Sequence, residues 1–358
     1  MWFHAITGQL ISEIPAGVLR VEGLDGPDGL IGPALFDPQV NGFVGVDFQS
    51  PFITLDELEY ASEALARCGC SHYLITIITD GADALTDQFR RLADLLDRSP
   101  AASRRVLGFH LEGPFISATP GFVGAHPIKH TCDPSWELFE KFQKASGNRI
   151  RLLTLDPERR GSMEFIRKAA ASGVWVSCGH ADPSLETLWA AAEAGAKLFT
   201  HLSNGCPVTL PRHDNIIQRV LAVPELQVLM IPDGIHVPPP ALGNFAKAVG
   251  PSRLIFTTDA ATPAGGPPGH YRFGPIELEI GDDRVVRLPG SPNLAGSSLT
   301  PIEGFYNAIR IGGMGAAAAW HAWTRLRTKM FPEIEPPLLA LPFPRPAPVM
   351  DRKFQKTE

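Results

Sequence analysis

Five polar residues stand where the strands of a barrel should end: Gln39 in DPQVNG, Glu112 in HLEGP, His180 in CGHAD, His201 in THLSNG and Asp259 in TTDAA. Each follows a short apolar, strand-like run. Two imidazoles and a carboxylate can hold a catalytic divalent ion while leaving a position open for water, and a second carboxylate can act as the base. A lone histidine after an apolar strand is more often a hydrogen-bonded structural residue than a ligand. Two of them, with a glutamate and an aspartate at matching strand ends, point instead to one functional constellation, because ionised carboxylates in apolar runs are costly unless paired or metal-bound. The pattern predicts a metal-assisted hydrolase on a β/α barrel.

Gln39 and Asn41 occupy a spacing that in many metal hydrolases of this architecture carries His-x-His and a second metal. Neutral amides are poor zinc ligands and good hydrogen-bond partners, so one divalent ion per chain is expected. Zn2+ is the first choice, with Fe2+, Mn2+ or Co2+ as alternatives. His236 in PDGIHVPP and His126 in VGAHP lie in loops where active-site groups belong, and both are expected to be functional. His110 alternates with Glu112 on one strand and reads as core. Cys178 and Cys206 read as buried inert thiols near the site. By itself, Arg212 in LPRHDN reads as a solvated loop residue.

Strands that could aim these groups at one point are predicted at 34–40, 72–78, 106–112, 150–155, 174–180, 197–201, 227–232 and 253–259. Their near-continuous apolar character suits strands covered on both faces. Helical patterns fill the gaps: Thr54 with Glu57 forms a capping-box signature, Leu85, Phe89, Leu92 and Leu96 make an apolar stripe, and Asp182-Pro183 opens a helix with Leu185, Leu188, Trp189 and Ala192 inward. Alternation repeated about eight times predicts an α/β fold, a (β/α)8 TIM-like barrel over residues 34–312 whose strand ends share one mouth. Residues 1–33 read as short strands. Residues 271–294 read as an antiparallel hairpin turning at Gly281-Asp282-Asp283, expected to join 1–33 in a small, incomplete β domain. In 313–358, Trp320, Trp323, Leu326 and Met330 have helical spacing. Seven prolines from Pro332 to Pro348 then predict an exposed, extended path without inner strands.

The 358 residues carry a net charge of −6, with 44% apolar and 20% charged residues. No basic footprint for nucleic acid or anionic membrane is present. The segment MWFHAITGQLISEIP lacks the pattern of a secretory signal, and the five cysteines lack paired zinc-finger spacing. A cytoplasmic location is expected.

DPQVNG (37–42), HLEGPF (110–115), GAHP (124–127), GHAD (179–182), THLSNGCP (200–207), DGIHV (233–237), TTDA (257–260) and LAGSSLT (294–300) together resemble the N-acetylglucosamine-6-phosphate deacetylases of the amidohydrolase superfamily. They run in family order over roughly residues 34–312. The resemblance implies Glu112, His180 and His201 as metal ligands, and Asp259 as acid/base with His126 assisting. It implies substrate contacts from Ala125, His126, Asn204, Gly205, Arg212, His236, Leu294, Ala295 and Gly296. It further implies a homodimer in which the arginine reaches the sugar phosphate in the neighbouring subunit's site. Gln39 and Asn41 resemble the single-metal subgroup. The implied reaction releases acetate from N-acetylglucosamine 6-phosphate. N-acetylgalactosamine 6-phosphate is the alternative substrate, and an inactive sugar-phosphate-binding homologue is the rival of another class. Family members usually open with a longer β-rich segment and close with strands that return to it. The N-terminal segment is shorter here, and residues 313–358 do not resemble those closing strands.

Overall fold

A computed structural model describes residues 1–274, 276–290 and 294–343. Eight parallel strands form one sheet: β1 (Leu35–Val40), β2 (Cys70–Ile78), β3 (Val106–Glu112), β4 (Ile150–Leu155), β5 (Trp175–Cys178), β6 (Leu198–Phe199), β7 (Gln227–Met230) and β8 (Leu254–Phe256). Each falls within two residues of an expected start, so the apolar runs do mark strands buried on both faces. Helices lie between them: α1 (Leu55–Arg67), α2 (Ala82–Arg98), α3 (Trp136–Ala145), α4 (Ser162–Ala171), α5 (Leu185–Ala194), α6 (Ile216–Leu221) and α7 (Pro239–Val249). The Thr54/Glu57 capping box opens α1, and Leu85, Phe89, Leu92 and Leu96 are buried on α2. On α5 the cap is Ser184 rather than Asp182, and Trp189 faces outward, 45% exposed, while Leu188 packs inward.

Closure between β1 and β8 uses side chains where the backbone ladder runs short. Val40 bridges Ala260 in parallel, and Asn41 N–H donates to Ala260 O across 2.8 Å. Just behind, the buried Asp37 carboxylate accepts from the Thr257 and Thr258 hydroxyls, each at 2.6 Å, and from Thr258 N–H at 3.1 Å. Beneath the mouth a chain of polar side chains crosses the barrel. His110 lies 3.3 Å from Thr76 and 2.8 Å from Thr154, which meets Thr200 at 2.8 Å, and Thr200 meets Ser177 at 2.6 Å. His110 is thus an interior residue, as expected, with its polar atoms satisfied.

After β8 come α8 (Pro301–Arg310) and α9 (Ala316–Met330). α9 packs on β1 and β8, burying Trp320, Trp323 and Leu326, and Trp320 Nε1 donates to Pro33 O at 2.8 Å. The helical spacing of these residues therefore does cover the barrel.

The expectation for the following segment is overturned. Leu338–Pro342 is an inner strand of a five-stranded sheet, ordered 10–11, 2–4, 29–33, 338–342, 19–20. It runs antiparallel to Gly29–Pro33, with Leu341 opposite Leu30, and parallel to Leu19–Arg20. The prolines bracket the strand rather than interrupt it. Pro336 and Pro337 precede it and Pro342 ends it, so Leu338 to Leu341 keep the N–H groups that a ladder needs. Gly29 admits it, since a Cβ there would lie 2.2 Å from Leu341 O. The late hairpin does turn after Ile280, but it does not join this sheet. Gly269–Phe273, Ile276–Ile280 and Val286–Arg287 form a separate three-stranded antiparallel sheet. Its Phe273, Leu278 and Ile280 pack on Ile78 and Ala295 beside the barrel mouth. Residues 344–358 lie outside the described residues.

Candidate active site

The strand ends bring the expected groups together. Glu112 closes β3, while His180, His201 and Asp259 follow β5, β6 and β8 by two or three residues. All three of the latter hold positive φ, 53°, 27° and 51°, a conformation that costs a non-glycine residue about 1–3 kcal/mol and gathers at functional sites. Here it turns each side chain from the strand direction into the mouth. Glu112 Oε1 lies 3.2 Å from His180 Nε2 and 3.1 Å from His201 Nε2, and the two Nε2 atoms are 3.1 Å apart. Tetrahedral zinc with bonds of about 2.0–2.1 Å separates its ligands by about 3.3 Å, so this triangle of donors fits such an ion. On the far side, Gln39 Nε2 donates to Glu112 Oε1 at 2.8 Å, and Asn41 Nδ2 donates to Asp259 Oδ1 at 2.8 Å.

The histidines differ in what they offer. His180 Nδ1 donates to Phe122 O across 2.7 Å, which leaves Nε2 with a lone pair facing the triangle. His126 is reversed: Thr79 N–H donates into its Nδ1 at 3.3 Å, so the ring proton belongs on Nε2. Ligand atoms of Glu112, His126 and His180 also lie within 4.8 Å of one another, so this buried group can hold a metal ion. The His126 tautomer favours His201 over His126 as the third ligand, because a protonated nitrogen has no lone pair to give.

Burial raises the Glu112 carboxyl, but the adjoining His180 and His201 imidazoles prevail and hold it well below the usual carboxylate range. Burial, then the repulsion of Glu112, pushes Asp259 up to about 7. Burial and the neighbouring His180 push His126 down to about 3, so it is a neutral donor at ordinary pH. Burial lowers His201, but the hydrogen bond to Glu112 reverses this and raises it. Two carboxyl groups pushed apart in this way are suited to different tasks.

No family model matches the chain. The N-acetylglucosamine-6-phosphate deacetylase of Vibrio furnissii is 32% identical over 295 residues, 82% of this chain and 72% of that protein. The chain belongs to the N-acetylglucosamine-6-phosphate deacetylase family. The N-acetylgalactosamine-6-phosphate deacetylase of Escherichia coli O157:H7 is 30% identical over 292 residues, 82% of this chain and 75% of that protein. Among solved structures, a mutant N-acetyl-D-glucosamine-6-phosphate deacetylase from Mycobacterium smegmatis, in complex with N-acetyl-D-glucosamine-6-phosphate, superposes with a TM-score of 0.79. The two are 26% identical, and the match covers 90% of this chain and 86% of that one.

In this member of the deacetylase family the mouth is a cavity of about 490 Å³. Asn41, Glu112, Ala125, His126, His180, His201, Asn204, Gly205, His236, Asp259, Leu294, Ala295 and Gly296 all line it. Gln39 is fully buried behind Glu112. Arg212 is the exception: it is exposed and does not line its own chain's cavity. Cys206 does line it, with a thiol that burial pushes up to about 11, and burial pushes the Cys178 thiol up to about 12, so both are inert at neutral pH.

Several contributors escape sequence reasoning. Thr79 follows β2, a strand whose pattern singles out no site residue. Phe122 acts through its carbonyl, which no side-chain pattern encodes. Phe273 supplies an apolar wall. Asp233 is within reach of such reasoning, since it lies three residues before His236 and holds its Nδ1 at 2.6 Å.

Proposed function

We propose that this chain hydrolyses the acetamide of N-acetylglucosamine 6-phosphate, giving acetate and glucosamine 6-phosphate. The observation that carries the reading is the buried Glu112–His180–His201 triangle facing Asp259 in a member of this family. Glu112, His180 and His201 would hold one divalent ion per chain, Zn2+ first by its preference for nitrogen and carboxylate donors, with Fe2+, Mn2+ or Co2+ as alternatives. Bound there, the ion polarises the amide carbonyl and acidifies water. Asp259 takes the proton of the attacking water and delivers it to the leaving nitrogen. His126, neutral and protonated on Nε2, donates to the carbonyl oxygen as charge builds there.

No lysine or arginine lines the cavity among the described residues. A 6-phosphate calls for a cation, and Arg212 stands exposed on the loop after β6. We infer a homodimer in which the Arg212 guanidinium of one protomer reaches the phosphate bound by its partner, while His236 serves from within. No helix among the described residues is long and apolar enough to cross a membrane; a cytoplasmic enzyme is proposed. The galactosamine epimer is the second reading, supported by the 30% identical relative of that name. Acetate release from both epimers, with and without the 6-phosphate and with added Zn2+, tests the proposal. Turnover of neither phosphorylated sugar would leave the inactive binding homologue as the better reading.

A further inference from the structure

We propose that Thr79 is a positioning residue that fixes the His126 ring with its proton on Nε2, facing the reacting carbonyl; the inference rests on the deacetylase reading for what that proton does. Thr79 follows Ile78 at the end of β2 and is 1% exposed. Its main-chain N–H donates into His126 Nδ1 at 3.3 Å, and its hydroxyl lies 2.9 Å from the same nitrogen. A proton on Nδ1 would collide with the amide hydrogen, so Nδ1 accepts and the hydroxyl donates as well. Both donors belong to one residue, so orientation and tautomer are set together.

The hydroxyl is confined from the other side. Gly113, directly after Glu112, has φ +79°, and a Cβ there would lie 2.1 Å from Thr79 Oγ1. The strand end that carries Glu112 therefore passes close to the hydroxyl that holds His126, at a position with no room for a side chain. His126 Nε2, in turn, lies 3.8 Å from Glu112 Oε2, too long for a hydrogen bond, so its proton is free for a ligand in the cavity. With the proton on Nδ1 instead, Nε2 would meet a developing oxyanion lone pair to lone pair.

The test pairs nitrogen NMR of histidine-labelled, metal-loaded protein, assigned with His126→Gln, with steady-state kinetics of Thr79→Val and Thr79→Ser. In the unmodified protein His126 should show a protonated Nε2 and a bare Nδ1. Thr79→Val replaces the hydroxyl by a methyl and should lower kcat by about 10- to 100-fold, part of the loss typical of a missing oxyanion donor. Its KM should change by less than about threefold. Thr79→Ser should keep the rate, and the main-chain N–H should hold the tautomer signature in both variants. A proton on Nδ1 in the unmodified protein overturns the assignment, and that measurement holds even if Thr79→Val does not fold. So does a Thr79→Val enzyme within about twofold of normal kcat. If the unmodified protein releases no acetate from any sugar, the functional reading falls, and the NMR tautomer alone decides the role of Thr79.

Discussion

Asn41 and Asp259, at the tips of the first and last barrel strands, are joined by a 2.8 Å hydrogen bond from the Asn41 amide to Asp259 Oδ1. One carboxylate oxygen is thereby occupied, and the other is left to handle a proton. Asp259→Asn keeps the shape but removes the base. Turnover should fall by about 10²- to 10⁴-fold, the usual worth of general acid–base catalysis, with metal content unchanged. Steady-state rates and elemental analysis of the same preparation check this; near-normal turnover with metal retained would eliminate the role.

Metal stoichiometry should be one tightly held divalent ion per chain, because Gln39 and Asn41 turn their amide nitrogens to Glu112 and Asp259, and a neutral amide is a poor ligand for a second zinc ion. Elemental analysis of protein purified without added metal would return about one equivalent. Two equivalents, lost on Gln39→Ala, would contradict it.

Arg212→Ala should weaken use of the 6-phosphorylated sugar far more than use of its unphosphorylated counterpart. Mixing this variant with a Glu112→Ala variant should restore activity in hybrid dimers, since one protomer then keeps an intact metal site facing an intact arginine. Equal losses on both sugars, or no recovery on mixing, would count against a cross-subunit arginine.

The barrel seam should weaken as pH rises. Burial pushes the Asp37 carboxyl up to about 6, against the hydrogen bonds from Thr257 and Thr258. A folded-state pKa above the ordinary 3.8 contributes stability that is full below about 4 and lost as pH climbs through 6. A rise of that size corresponds to about 3 kcal/mol. The stability difference between the unmodified protein and Asp37→Asn should therefore shrink between about pH 4 and pH 8, by up to that amount. Denaturant midpoints across the range would show it, and a difference that grows with pH would refute it.

Ala340→Pro removes an N–H from the middle of the inner strand 338–342, where Ala340 is flanked by Ile31 and Arg20. A loss of about 3 kcal/mol or more is expected, read as a lower denaturation midpoint. An unchanged midpoint would mean that this strand contributes little.

Much of this is legible in the sequence because it rests on local signals. Apolar runs ending in Glu112, His180, His201 and Asp259 mark strands and strand tips at once, since a barrel has a single mouth. The small sheet is not legible, because it depends on pairings across some 300 residues that no periodicity carries. Proline count misleads where proline position matters: Leu338 to Leu341 lie between the prolines. Thr79 and Phe122 are hidden for another reason. Phe122 contributes a main-chain carbonyl and Thr79 a main-chain N–H beside a common hydroxyl, and only the fold decides which of these meets an imidazole.

The inner place of Leu338–Pro342 has a consequence for synthesis. Ribosomes add about 5–20 residues per second, so the edges of Gly29–Pro33 and Leu19–Arg20 wait for tens of seconds before the strand that separates them exists. Over that time a nascent chain presents two open strand edges, the kind of surface that invites pairing with a neighbouring chain. The barrel can assemble in order behind the exit tunnel, but the small sheet cannot. Its closure is a late event, set by where one inner strand falls in the sequence.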